Sequence, residues 1–159
     1  AIAIYDTHIS TGNEGLDVLL TEKSLACELN GIELSVMIDG ASLAFMEPSD
    51  VNSFFGNALD NATEYLISSE SRENRFIRLS SHKKGGFLSV RVENYCSRPP
   101  EIDGQGFPVT TKKDKSNHGF GVRSMKSVAE RYGGVLMYKC ENSLFVMAAL
   151  FPELRSDVK

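Results

Sequence analysis

Phe55-Gly56-Asn57-Ala58-Leu59-Asp60-Asn61-Ala62 sets two amides one helical turn apart beside an apolar stripe. The stripe is Val51, Phe54, Phe55, Ala58, Ala62, Tyr65 and Leu66, spaced by threes and fours as on a buried helix face. Asn57, Asn61 and Glu64 run along its flank. Pro48-Ser49-Asp50 starts the helix, because Pro suits the first turn and the Ser and Asp oxygens can take up unpaired N–H groups. Asn on a helix flank is ordinarily just solvated, so the pair gains meaning only from what surrounds it.

Upstream, Leu16, Leu19, Leu20 and Cys27 mark a helix over 15–29 that Thr11 or Asn13 can cap and Gly31 stops. Ile32, Leu34, Val36 and Ile38 alternate with polar neighbours as in a half-buried strand, and Ser42 to Met46 reads as a short second strand. Downstream, Phe76 to Ser81 and Phe87 to Asn94 form a hairpin through Lys83-Lys84-Gly85-Gly86. Tyr95 to Asn117 holds Pro99, Pro100, Gly104, Gly106 and Pro108 without a period, and a compact domain keeps such a loop for function or leaves it disordered. His118-Gly119-Phe120-Gly121 then opens a helix with Val122, Met125, Val128, Ala129 and Tyr132 on one side, and Val135 to Lys139 with Leu144 to Phe151 closes the domain as a second hairpin. Strands in consecutive pairs with helices between the pairs predict an α+β fold, a two-layer α/β sandwich whose mixed sheet carries helices on one face, and not a doubly wound sheet.

The 159 residues, 42% hydrophobic and 24% charged, suit one domain. Seventeen Lys plus Arg against 21 Asp plus Glu leave a formal charge of −4, which excludes a whole-chain attraction to nucleic acid or anionic lipid. Any polyanion must be held locally. Cys27, Cys96 and Cys140 are odd in number and far apart, which argues against a disulfide framework or zinc site and for a reducing cytoplasm. Apolar runs such as Leu144 to Phe151 fall short of the about 20 residues of a membrane span. Ala1, with no initiator Met, raises the expectation of a piece cut from a longer protein.

The amide pair and the Gly-x-Gly helix start, separated by a hairpin and a long loop, are together more specific than either alone. Phe55 to Ala62 resembles the N box, and His118-Gly119-Phe120-Gly121-Val122-Arg123-Ser124 the second glycine box, of the GHKL superfamily: the ATP-binding domain shared by gyrase, heat-shock chaperone, histidine kinase and mismatch-repair ATPases. The implied fold is the Bergerat sandwich. Thr11-Gly12-Asn13, Leu16-Asp17, Lys23, Gly31-Ile32 and Thr110-Thr111-Lys112-Lys113-Asp114 are similar to the quorum-sensing branch of sensor histidine kinases, and the likeness runs from about Thr11 to Phe151. By this resemblance residues 1–12 are linker after the dimerisation helices, 13–152 the ATP-binding catalytic domain and 153–159 a polar tail.

The resemblance makes Asn61 the Mg²⁺ ligand, an amide oxygen that leaves the metal's charge intact, and puts Asn57 near the phosphates as the second catalytic position. Hydrolysing relatives carry a glutamate where Asn57 stands; an amide cannot accept a proton at neutral pH, which favours transfer to a neutral imidazole over attack by water. Asp60 and Glu64 are rival carboxylates that read better as surface charge or partner contacts. The usual Asp-x-Gly-x-Gly adenine box is missing. Asn94 takes its place at the strand end and can both accept from and donate to the base, while Asp103-Gly104-Gln105-Gly106 imitates the box inside the loop and belongs to the ATP lid. Lys112 and Lys113 would reach phosphate from that lid, with Arg123 and Lys126 weaker candidates. His118, Gly119, Phe120 and Gly121 would present backbone N–H groups to phosphate at the positive end of a helix.

The expected function is thus that of a sensor histidine kinase's catalytic domain. It would bind ATP with Mg²⁺ and pass the γ-phosphoryl to a histidine on dimerisation helices outside this chain. A response regulator follows as partner, with a homodimeric parent in the cell membrane and this domain in the cytoplasm, touching neither nucleic acid nor lipid. His8 and His82 have no partners at a recognisable spacing, and the isolated chain is expected to bind nucleotide without phosphorylating itself. An anti-sigma-factor type serine kinase and a catalytically inactive nucleotide-binding module of the same fold are the alternatives.

Overall fold

The helix that carries Asn57 and Asn61 is the spine of the molecule. In the computed structural model, residues 9–109 and 115–153 are described, 115–120 by their backbone alone. Helices α1 (Glu14–Leu29), α2 (Pro48–Ser69) and α3 (Lys115–Arg131) pack on strands β1 (Glu33–Met37), β2 (Phe76–Lys84), β3 (Phe87–Tyr95), β4 (Val135–Glu141) and β5 (Leu144–Pro152). The sheet order is β1-β2-β3-β5-β4, with β1 parallel to β2 and the other pairs antiparallel. This is the expected α+β mixed sheet. Alternation along the strands sends Ile77, Leu79, Leu88, Val90, Val92, Met147 and Phe151 into one core with Leu16, Leu20, Phe54, Phe55, Leu59, Leu66 and Met125 from the helices. The opposite face carries Arg78 and Arg91, each 3.6 Å from Glu93.

Local chemistry explains where the elements start and stop. Asn13 caps α1, its side-chain oxygen accepting from the Leu16 N–H at 3.1 Å, whereas Thr11 turns its hydroxyl to Asp17 at 2.6 Å. Gly85 and Gly86 take φ of +60° and +80°, the left-handed pair that a two-residue hairpin turn needs.

Three expectations are corrected. Ser42 to Met46 is not a strand: a 3₁₀ turn spans Gly40–Leu43, because the Asp39 carboxylate accepts from the Ala41 N–H (3.2 Å) and the Ser42 hydroxyl donates to the Asp39 carbonyl (2.5 Å). Ser49 and Asp50 do not cap α2; Asp50 instead accepts from Arg131 and Tyr132, and the Glu47 N–H donates to the Tyr132 hydroxyl at 2.9 Å. Finally, α3 begins at Lys115 and not at the glycine pair.

Candidate functional site

The polar contacts between α2 and α3 form an antiparallel seam. Asp50 meets Arg131 and Tyr132 at one end, the Ser53 and Ser124 hydroxyls lie 3.2 Å apart in the middle, and Gly121 meets Asn57 and Asn61 at the other. A Cβ added to the buried Gly121 would stand 3.3 Å from Asn57 Oδ1 and 3.7 Å from Asn61 Oδ1. A side chain here would make the Asn57 amide give way by a few tenths of an ångström, so glycine lets the α3 backbone approach both amides without displacing either.

A narrow cavity adjoins them, lined by Asn61 and Ala62 of α2, Asn94 of β3, Met125 of α3, Tyr138 of β4 and Phe145 of β5. Asn94 is 2% exposed and donates one amide hydrogen to the Tyr95 carbonyl at 2.9 Å. The Tyr138 hydroxyl is buried without a hydrogen-bond partner among the described residues. Burial pushes that phenol's pKa well above its ordinary value.

The segment after β3 folds back against Tyr138 and Lys126. Asp103 accepts from the N–H groups of Gln105 (2.8 Å) and Phe107 (3.0 Å), so its carboxylate is committed to its own turn, and Ile102 bridges Pro108. The turn holds the Phe107 ring edge-on to Tyr138 at 5.9 Å, with Lys126 Nζ 5.3 Å from the Phe107 centroid. At the segment's root, Glu70 accepts from Tyr65 (2.8 Å) and from the Ser97 N–H (3.0 Å) and hydroxyl (2.8 Å). Burial raises the Glu70 pKa, but the bonds from Ser97 and Tyr65 outweigh it and hold the carboxyl below its usual range.

The structure brings Asn57, Asn61, Asn94 and Gly121 to one place. Asp60 pairs with Lys23 of α1 at 2.7 Å and Glu64 is exposed. Lys112 and Lys113 lie outside the described residues, as do the side chains of His118 and Phe120. With α3 spanning Lys115–Arg131, Gly119 and Gly121 fall inside the helix and do not open it. Lys126 is engaged with Phe107 and with Glu130 at 3.9 Å. Sequence reasoning missed Tyr138, Phe107, Met125 and Glu70 as parts of the site; for Tyr138 the available signal was its two-residue spacing from the inward-facing Leu136.

The donor set fits a hard cation that arrives with its own oxygen ligands. The amide oxygens of Asn57 and Asn61 are neutral and near each other, and among the described residues no group of three His, Cys, Asp or Glu side chains could hold a metal by itself.

A family model described as a GHKL domain matches residues 46–152. No curated protein matches the sequence. Among solved structures, the catalytic domain of histidine kinase ThkA is 19% identical with a TM-score of 0.66, covering 91% of this chain and 93% of that one. The mycobacterial sensor histidine kinase MprB is 16% identical with a TM-score of 0.60, over 87% of this chain and 92% of that one. Histidine kinase AdeS of Acinetobacter baumannii is 11% identical with a TM-score of 0.62 over 89% of this chain, which spans 64% of the AdeS chain. At these identities the likeness is one of fold.

Proposed function

This chain belongs to the GHKL family, and from that premise we propose that it is the catalytic ATP-binding domain of a sensor histidine kinase, handing the γ-phosphoryl of ATP to a histidine on dimerisation helices of its parent. The observation that carries the reading is the approach of the Gly121 backbone to the amide oxygens of Asn57 and Asn61, beside a cavity with Asn94 buried in its wall.

Asn61 would ligate Mg²⁺ bound with the triphosphate, the ion's role being to neutralise charge on the transferring phosphoryl. Asn57 would lie by the phosphates and, unable to take a proton from water, leaves transfer to a neutral imidazole as the favoured course. Backbone N–H groups of the first turns of α3, which include His118 to Gly121, would meet the phosphates. Asn94 accepts from the base's amino group. On this reading the parent is a homodimer of the cell membrane serving a response regulator, with this domain in the cytoplasm; among the described residues no helix is long and apolar enough to cross a membrane.

The test is calorimetric titration with Mg·ADP, followed by incubation with [γ-³²P]ATP and the parent's dimerisation segment. Saturable binding and an acid-labile label on that segment are expected, with none on this chain. Label on His8 overturns the last point, acid-stable label on a serine partner favours the serine kinase, and absence of binding leaves an inactive module.

A further inference from the structure

Tyr138 lines the cavity beside Asn61 and Asn94, yet its buried hydroxyl has no hydrogen-bond partner among the described residues. Buried polar atoms are nearly always paired, and one left unpaired at a cavity wall awaits a partner from outside. The side chain is firmly held. Tyr138 lies within β4 opposite Met147 of β5, its ring stacks on Phe145 at 5.6 Å, and Phe107 meets it edge-on. Both ring neighbours are apolar, so they orient the phenol and offer its oxygen nothing. Because burial raises its pKa, the hydroxyl keeps its proton and remains a donor at neutral pH.

Asn94 has spent one amide hydrogen on Tyr95, and its oxygen suits an exocyclic amino group. A purine also presents ring nitrogens that only accept, and the cavity wall provides a fixed donor for one of them in the phenol. We propose that Tyr138 is a base-recognising residue, its hydroxyl donating to a purine ring nitrogen while Asn94 meets the exocyclic group. This rests on the nucleotide-binding reading above. The cavity is about 20 Å³, on the order of one water, so the base must widen it. Phe107, packed edge-on against Tyr138 behind the cavity's lining, stands in a loop whereas Phe145 of the lining stands in a strand paired on both sides, so the Tyr138–Phe107 side is the one that gives.

The experiment is titration of Mg·ADP into the protein and into Tyr138→Phe, which keeps the ring and removes only the oxygen. Binding about tenfold weaker is expected, the scale of one hydrogen bond, with the melting temperature of the unliganded variant equal or higher. Among 1-deaza, 3-deaza and 7-deaza analogues of ADP, the one lacking the accepted nitrogen should bind both proteins alike. Equal affinity of the two proteins for Mg·ADP overturns the proposal, and so does an unliganded variant that melts several degrees lower or fails to fold, since the hydroxyl would then have a partner inside the protein. Failure of the unsubstituted protein to bind Mg·ADP is a separate result that removes the nucleotide reading itself.

Discussion

The two ends of the α2–α3 seam are built from opposite materials. At one end Asp50, Arg131, Tyr132 and the Glu47 N–H brace the helices together through charge and hydrogen bonds. At the other, Gly121 and the neutral amides of Asn57 and Asn61 keep the helices close but add no charged brace. Among the described residues, the ion pair between Asp50 and Arg131 thus lies away from the space a ligand would need. An ion pair at the Asn61 end would compete with a metal for oxygen; amides hold an oxygen in place without a proton or a counter-charge.

Substitutions at the two ends should therefore separate affinity from stability. The largest effect is expected for Asn61→Ala, a loss of at least about 100-fold in Mg·ADP affinity measured by calorimetry, with Mg²⁺-free binding unchanged. Unaltered magnesium dependence would break the metal assignment. Gly121→Ala comes next. Its Cβ would press on Asn57 Oδ1 from 3.3 Å, so affinity should fall about tenfold, while alanine's better helix propensity leaves the melting temperature equal or higher. A variant that lost stability but kept affinity would reverse the comparison.

At the braced end the expectation inverts. Asp50→Asn should lower the melting temperature at pH 7 by roughly 2–4 °C and leave Mg·ADP affinity within about twofold, within experimental scatter. Hydrogen bonds from Arg131 and then Tyr132 hold the Asp50 pKa below its ordinary value. A depressed folded-state pKa gives stability that is complete above the unfolded value near about 4 and is lost as pH falls through the folded one. Melts at pH 7 and near pH 3 should accordingly show the difference between Asp50→Asn and the unsubstituted chain shrinking in acid. The smallest effect belongs to the middle rung. Ser53→Ala removes one partner of a 3.2 Å hydroxyl pair and should cost about 1–3 °C without touching affinity.

How much of this was legible beforehand varied with the range of the interaction. The stripe of α2 and the two hairpins were readable because their periods and turn residues are local. The short strand expected at Ser42 to Met46 failed for a local reason too: Asp39 and Ser42 satisfy that backbone by themselves, and alternation cannot register it. Asp50 was misread as a cap because its partners lie some eighty residues away, at the last residue of α3 and in the turn after it. In the site, Asn57, Asn61 and Gly121 could be singled out by residue type and spacing. Tyr138 and Phe107 could not, since an aromatic on a strand and another in a Pro- and Gly-rich loop carry no mark of their meeting until the sheet closes.

The order of residues alone set the amphipathic helices, the strand pairs and a pair of amides on one helical flank, since each follows from contacts a few residues long. Tertiary packing alone decided that Gly121 lies against those amides, that Asp50 and Tyr132 clasp the far end, and that the oxygen of one phenol is buried with no partner among the described residues. Those outcomes depend on how α3 and β4 settle against α2 and the sheet, where close packing leaves room for a side chain in some places and presses on even a methyl group in others.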